Sequence, residues 1–158
     1  AFGGTLYQDI EVQHPQGLRH RDPVTYDQNF HEIGITPGSR LSKLYPDIDT
    51  ARVNSIHHQG VKDIAPGFDV EAWSLPDRVP EAIRRRADRG RSYIAATQWH
   101  PEFHQVGGGE TVDDTAILQD FLWACATAKV SPKGPLRSAP GRIRNRAARL
   151  LRQALLMR

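Results

Sequence analysis

Tyr93-Ile94-Ala95-Ala96-Thr97-Gln98-Trp99-His100-Pro101-Glu102 is an apolar run that closes in a polar, proline-stiffened hinge. Its first half, Tyr93–Thr97, reads as a buried strand. His100 and Glu102 then leave the strand's C-terminal end with only Pro101 between them. An imidazole can move a proton near neutral pH, and a nearby carboxylate can fix its tautomer and steady its charged form. Pro101 restricts His100 to extended backbone and fixes its own φ, so both side chains leave a stiff segment. The pattern supplies a base and an orienting acid without a visible nucleophile.

A second polar strand end lies about forty residues upstream. Arg52-Val53-Asn54-Ser55-Ile56 reads as a strand and runs into His57-His58-Gln59-Gly60. Open α/β sheets place ligands in loops of this kind. Phe30–Ile35 and Phe68–Leu75 alternate apolar and polar residues, which predicts strands with one buried face. Pro37-Gly38, Pro66-Gly67 and Arg89-Gly90 turn the chain, and Ser39 is placed to cap a short helix through Leu44. Glu81–Arg85 fits a strand or a helix. After a break at Gly3-Gly4, Thr5–Ile10 fits a short strand or a helical turn, and residues 13–26 read as a surface loop. Beyond a flexible break at Gly107–Gly109, Asp113 or Asp114 opens a helix to about Ala128. Ile117, Leu118, Phe121, Leu122 and Cys125 share its apolar face. On that face Cys125 is expected to be a small buried hydrophobe, not a nucleophile.

A chain of 158 residues can bury one real core. It has no apolar run of the roughly 20 residues that span a bilayer and no N-terminal signal pattern. The single cysteine excludes an intramolecular disulfide and suits a reducing, cytoplasmic setting. The net charge of +3 hides an asymmetry: residues 131–158 hold eight Lys/Arg and no Asp/Glu, while the rest carries 13 basic and 18 acidic side chains. A mildly acidic body argues against a nucleic-acid-binding core. The organisation expected is one domain over residues 1–130, a proline-containing linker at 131–141, and a basic amphipathic helix at 142–158. That tail could touch an anionic surface weakly. Short strands with a terminal helix predict an α/β or α+β class.

His57, His58, His100, Glu102 and His104 include the residue types that bind zinc. His100 and His104 are four apart, but Glu102 is misplaced for a His-Glu-x-x-His helix and Pro101 opposes one. No metal and no cofactor are expected.

Taken together, Val53-Asn54-Ser55-Ile56-His57-His58-Gln59-Gly60 and Gln98-Trp99-His100-Pro101-Glu102 resemble the class I glutamine amidotransferase-like hydrolases. The nearer likeness is to the peptidase C26, γ-glutamyl-γ-aminobutyrate hydrolase branch. Gly3-Gly4-Thr5-Leu6-Tyr7-Gln8-Asp9 and Ala65-Pro66-Gly67-Phe68-Asp69-Val70-Glu71-Ala72 are similar to the same branch, so the likeness covers about residues 1–128. It implies the C-terminal part of a flavodoxin-like α/β domain acting on a small γ-glutamyl substrate. It implies that His100 is the base, Glu102 its orienting carboxylate, and Ser55, His57, His58 and Gln59 the substrate contacts. In such hydrolases the nucleophile is a cysteine on a Gly-x-Cys-x-Gly elbow just upstream of the stretch matching Ala1–Gly4. The resemblance therefore implies a missing N-terminal half and an isolated chain without activity. Two other readings stand beside it: a non-catalytic binding module with a basic tail, and a metal-dependent hydrolase built on the histidines.

Overall fold

The computed structural model describes residues 2–86, 93–103 and 111–128. The turn at Arg89-Gly90, the break at Gly107–Gly109, His104, the linker and the basic tail helix lie outside the described residues.

The first elements are small. β1 (Leu6–Tyr7) follows Gly3, whose φ of +90° only glycine adopts freely. α1 (Ile10–Gln13) is capped by Asp9, whose carboxylate accepts from Val12 N. After a long loop and a 3-10 turn at Tyr26–Gln28, β2 (Phe30–Ile35) enters the core. Its inward face is His31, Ile33 and Ile35, so the alternation expected from sequence holds and carries a histidine inside with the isoleucines. α2 (Arg40–Leu44) starts at Ser39, whose hydroxyl accepts from Ser42 N. β3 (Thr50–Asn54) follows, and β4 (Gly60–Val61) pairs antiparallel with β1.

β5 (Phe68–Ser74) and β6 (Pro80–Arg85) form a hairpin, and β7 (Ala95–Thr97) adds to β6. The resulting five-stranded sheet runs β3-β2-β5-β6-β7, with every described pairing antiparallel. β6, ambiguous from sequence, is a strand because both its neighbours pair with it. Its first three residues, Pro80, Glu81 and Ala82, are buried. The expected alternation of β5 is broken by register shifts between Val70 and Trp73, which bury Glu71 and Ala72 in succession. Glu71 uses that position to accept from Arg40 N (2.8 Å) at the start of α2 and from Arg84 Nε (2.8 Å) on β6.

Ile33, Ile35, Leu41, Tyr45, Val53, Ala72, Ala82, Trp99 and Val112 form the core. Each larger aliphatic side chain buried there contributes about 1.5–3 kcal/mol. Trp99 is buried through its ring and satisfied at its edge, donating from Nε1 to Asp114 Oδ1 (3.0 Å).

Two expectations are overturned. Tyr93–Thr97 is not a buried strand: only Ala95–Thr97 pairs, and Ala95 and Ala96 are exposed because β7 is the outermost strand. The terminal helix, α3 (Thr115–Thr127), does not pack through its apolar stripe. Ala116 and Ile117 touch the core, yet the buried residue of the helix is Asp120. Leu118, Phe121, Leu122 and Trp123 face solvent, and so does Cys125. The physical reason is that polar contacts anchor the helix. Asp120 accepts from Arg40 (2.5 Å) and from Tyr93 Oη (3.0 Å), and Arg84 lies 3.2 Å away. Burial alone would raise the Asp120 carboxyl, but the hydrogen bonds from Arg40 and Tyr93, with the Arg84 charge, hold it below the usual carboxylate range.

Candidate active site

His100 follows β7 and Glu102 lies in a single 3-10 turn, Pro101–Phe103. The turn brings the side chains together: His100 Nδ1 lies 2.9 Å from Glu102 Oε1. A carboxylate can only accept, so the proton sits on Nδ1 and Nε2 keeps its lone pair. The imidazole is 39% exposed and the carboxylate 64%, so substrate-sized groups can reach both. The hydrogen bond from His100 holds the Glu102 carboxyl below its ordinary range.

The backbone under this pair is clamped from β3. Buried Asn54 accepts from His100 N through Oδ1 (2.9 Å) and donates from Nδ2 to His100 O (2.7 Å). The two sequence motifs are joined at a second point, where Gln98 Nε2 donates to Gln59 O (2.9 Å) and lies 3.0 Å from His57 Nδ1. Sequence reasoning noticed Asn54 as part of a polar loop but gave it no role. An amide that serves backbone atoms 46 residues away leaves no local pattern.

The four substrate-contact candidates separate by depth. His58 and Gln59 are exposed, His57 is half-buried, and Ser55 is fully buried, its hydroxyl donating to His20 O (2.9 Å). Asp9, Glu11, Arg19, His20, His57 and His58 border a cavity of about 380 Å³ beside that loop.

Behind the cavity lies a cluster that the sequence did not announce. His20, His31 and Glu81 are buried together, with one ligand atom from each within 4.8 Å of the others. Both ring nitrogens of His31, both carboxylate oxygens of Glu81 and Nε2 of His57 lack a hydrogen-bond partner. Such atoms, dry and unpaired, cost about 1–3 kcal/mol each. Burial would raise the Glu81 carboxyl, but His31 and His57 beside it reverse the shift. Burial acts likewise on Asp77, and hydrogen bonds from His20 (2.9 Å) and Ser74 (2.5 Å) hold its carboxyl well below the usual range. His20 falls within the segment read as a surface loop. The usable signal was on β2, where a histidine in register with two buried isoleucines needs a polar partner inside.

By contrast, the histidines considered for a metal from sequence are not assembled. His58 is exposed and His100 is engaged with Glu102.

The model of the peptidase C26 family matches residues 1–102. The chain belongs to this family. Within it, the γ-glutamyl-γ-aminobutyrate hydrolase PuuD of Escherichia coli K12 is 33% identical over 130 residues, covering 79% of this chain and 48% of the relative. Protein NtpR of Enterococcus hirae is 39% identical over 102 residues, covering 64% of this chain and 41% of the relative. The chain thus spans about half the length of the curated relatives it matches. Its fold is that of class I glutamine amidotransferases: the crystal structure of a GMP synthase component from Thermoplasma acidophilum superposes with a TM-score of 0.53 at 16% identity. That match covers 79% of this chain and 50% of the other. No described helix is long and apolar enough to cross a membrane.

Proposed function

We propose that His100 and Glu102 are the base and orienting acid of a cysteine-dependent γ-glutamyl amide hydrolase. The supporting observation is the 2.9 Å contact between Nδ1 and the carboxylate, which leaves Nε2 of an accessible ring as the proton acceptor. The thiol comes from outside these 158 residues, in the half of the family domain that precedes this stretch. His100 Nε2 takes the thiol proton, and the thiolate attacks the γ-glutamyl carbonyl. The tetrahedral intermediate collapses, the C–N bond breaks, and the amine leaves with the proton held by His100. A water gives its proton to His100 and attacks the thioester; glutamate departs and the thiol is restored. Glu102 steadies the imidazolium in both halves. His57, His58, Gln59 and, from beneath, Ser55 shape the substrate side. A lone thiol of this kind suits the cytoplasm.

The test is glutamate release from γ-glutamyl-γ-aminobutyrate by the longer protein and by this chain alone. We expect turnover only from the longer protein, a loss of about 10³-fold for His100→Ala, and a smaller loss for Glu102→Gln. Turnover by the 158-residue chain that survives Cys125→Ala but disappears in His100→Ala would overturn the reading.

A further inference from the structure

We propose that His20, His31, His57 and Glu81 form a buried binding site for a zinc-type divalent cation, separate from the His100–Glu102 pair. Four chain segments meet there: the loop before β2, β2 itself, the loop after β3, and β6. Glu81 Oε1 is the common vertex. His31 Nε2 lies 3.2 Å from it, His57 Nε2 3.6 Å and His20 Nδ1 3.7 Å. Donors about 2.0–2.1 Å from a tetrahedral zinc stand about 3.3 Å from one another, so these edges match the required size. Three imidazoles and one carboxylate are also a donor set that zinc accepts.

The surroundings prepare the rings for a cation. Asp77 takes the Nε2 side of His20 at 2.9 Å, which turns Nδ1 toward Glu81. Gln59 O takes the Nδ1 side of His57 at 2.9 Å, which turns Nε2 toward the same carboxylate. A carboxylate or carbonyl on the outer nitrogen of a histidine is the usual support behind a metal ligand. Bare nitrogens facing an ionised carboxylate repel one another unless positive charge lies between them. The side chains of His20, His31 and Glu81 are at most 2% exposed, so bulk water does not supply that charge. The cavity of about 380 Å³, bordered by His20 and His57, gives an approach from solvent. Protons alone are the competing way to fill the gap. In that account His20 keeps a proton on Nδ1 toward Ser55 Oγ, 3.1 Å away.

The discriminating experiment is metal analysis of the untagged 158-residue chain, followed by chelation and titration with Zn²⁺ and Co²⁺. About one zinc per chain is expected, with a higher melting temperature in the loaded form. Glu81→Gln and His31→Gln should weaken binding more than 100-fold, and Asp77→Asn about 10- to 100-fold. His58→Ala and Cys125→Ser should leave it unchanged. Because core variants can misfold, X-ray absorption of the loaded wild-type chain reads the ligands directly: imidazole nitrogens with oxygen and no sulfur. Failure of the folded wild-type chain to bind either metal saturably, a sulfur ligand, or wild-type affinity in Glu81→Gln would overturn the proposal in favour of the proton network.

Discussion

Asn54 does more for the candidate site than any residue outside the His100–Glu102 pair. Its amide is buried and spends both ends on the backbone of His100. Neither group could find water if the amide were removed. Asn54→Ala should therefore destabilise the chain by about 2 kcal/mol, read from urea unfolding. Asn54→Asp keeps an acceptor for His100 N but sets a carboxylate against His100 O, and should cost at least as much. At this scale the sequence was half readable. His-Pro-Glu declares its chemistry because two functional groups and a rigid residue are adjacent. Asn54, Asp77 and Glu81 do not, because their partners are reached only through the folded sheet.

Among the elements, β2, α2 and the β5–β6 hairpin follow from pattern and punctuation: alternation, a serine cap, and Pro-Gly turns. α3 shows where pattern misleads. Its apolar stripe predicts a buried face, but the helix is held by Asp120, with Arg40, Arg84 and Tyr93 around the carboxylate. Periodicity counts apolar side chains and cannot see an ion pair that closes across 80 residues. Because the Asp120 carboxyl is held below its ordinary range in the fold, it contributes stability that is present above about pH 4 and is lost as pH falls through the folded value. Asp120→Asn should lower the melting temperature at pH 7 and flatten that acid limb. Thermal melts between pH 7 and pH 3 will show whether the two curves converge.

For the molecule as a whole, the exposed stripe dominates solution behaviour. Leu118 (57% exposed), Phe121 (48%) and Trp123 (63%) lie on one helix beside the outermost strand. Apolar surface presented together in this way adsorbs hydrophobic dyes and neighbouring molecules. The chain should brighten an anilinonaphthalene dye and sediment as concentration-dependent oligomers. Leu118→Lys with Trp123→Lys should reduce both signals while leaving the melting temperature within about 1 °C, since neither side chain is buried. Family and fold class were readable from two motifs, but the all-antiparallel pairing was not. Strand order depends on contacts that no single segment encodes.

The grip on position 100 is a main-chain grip: the amide at 54 recognises a peptide unit, whatever side chain it carries. Selection on the hinge's shape is therefore uncoupled from selection on its proton chemistry. A descendant that traded the imidazole away would still need asparagine at 54 to keep its hairpins in register. The asparagine would outlast the activity and mark the place where the base once stood.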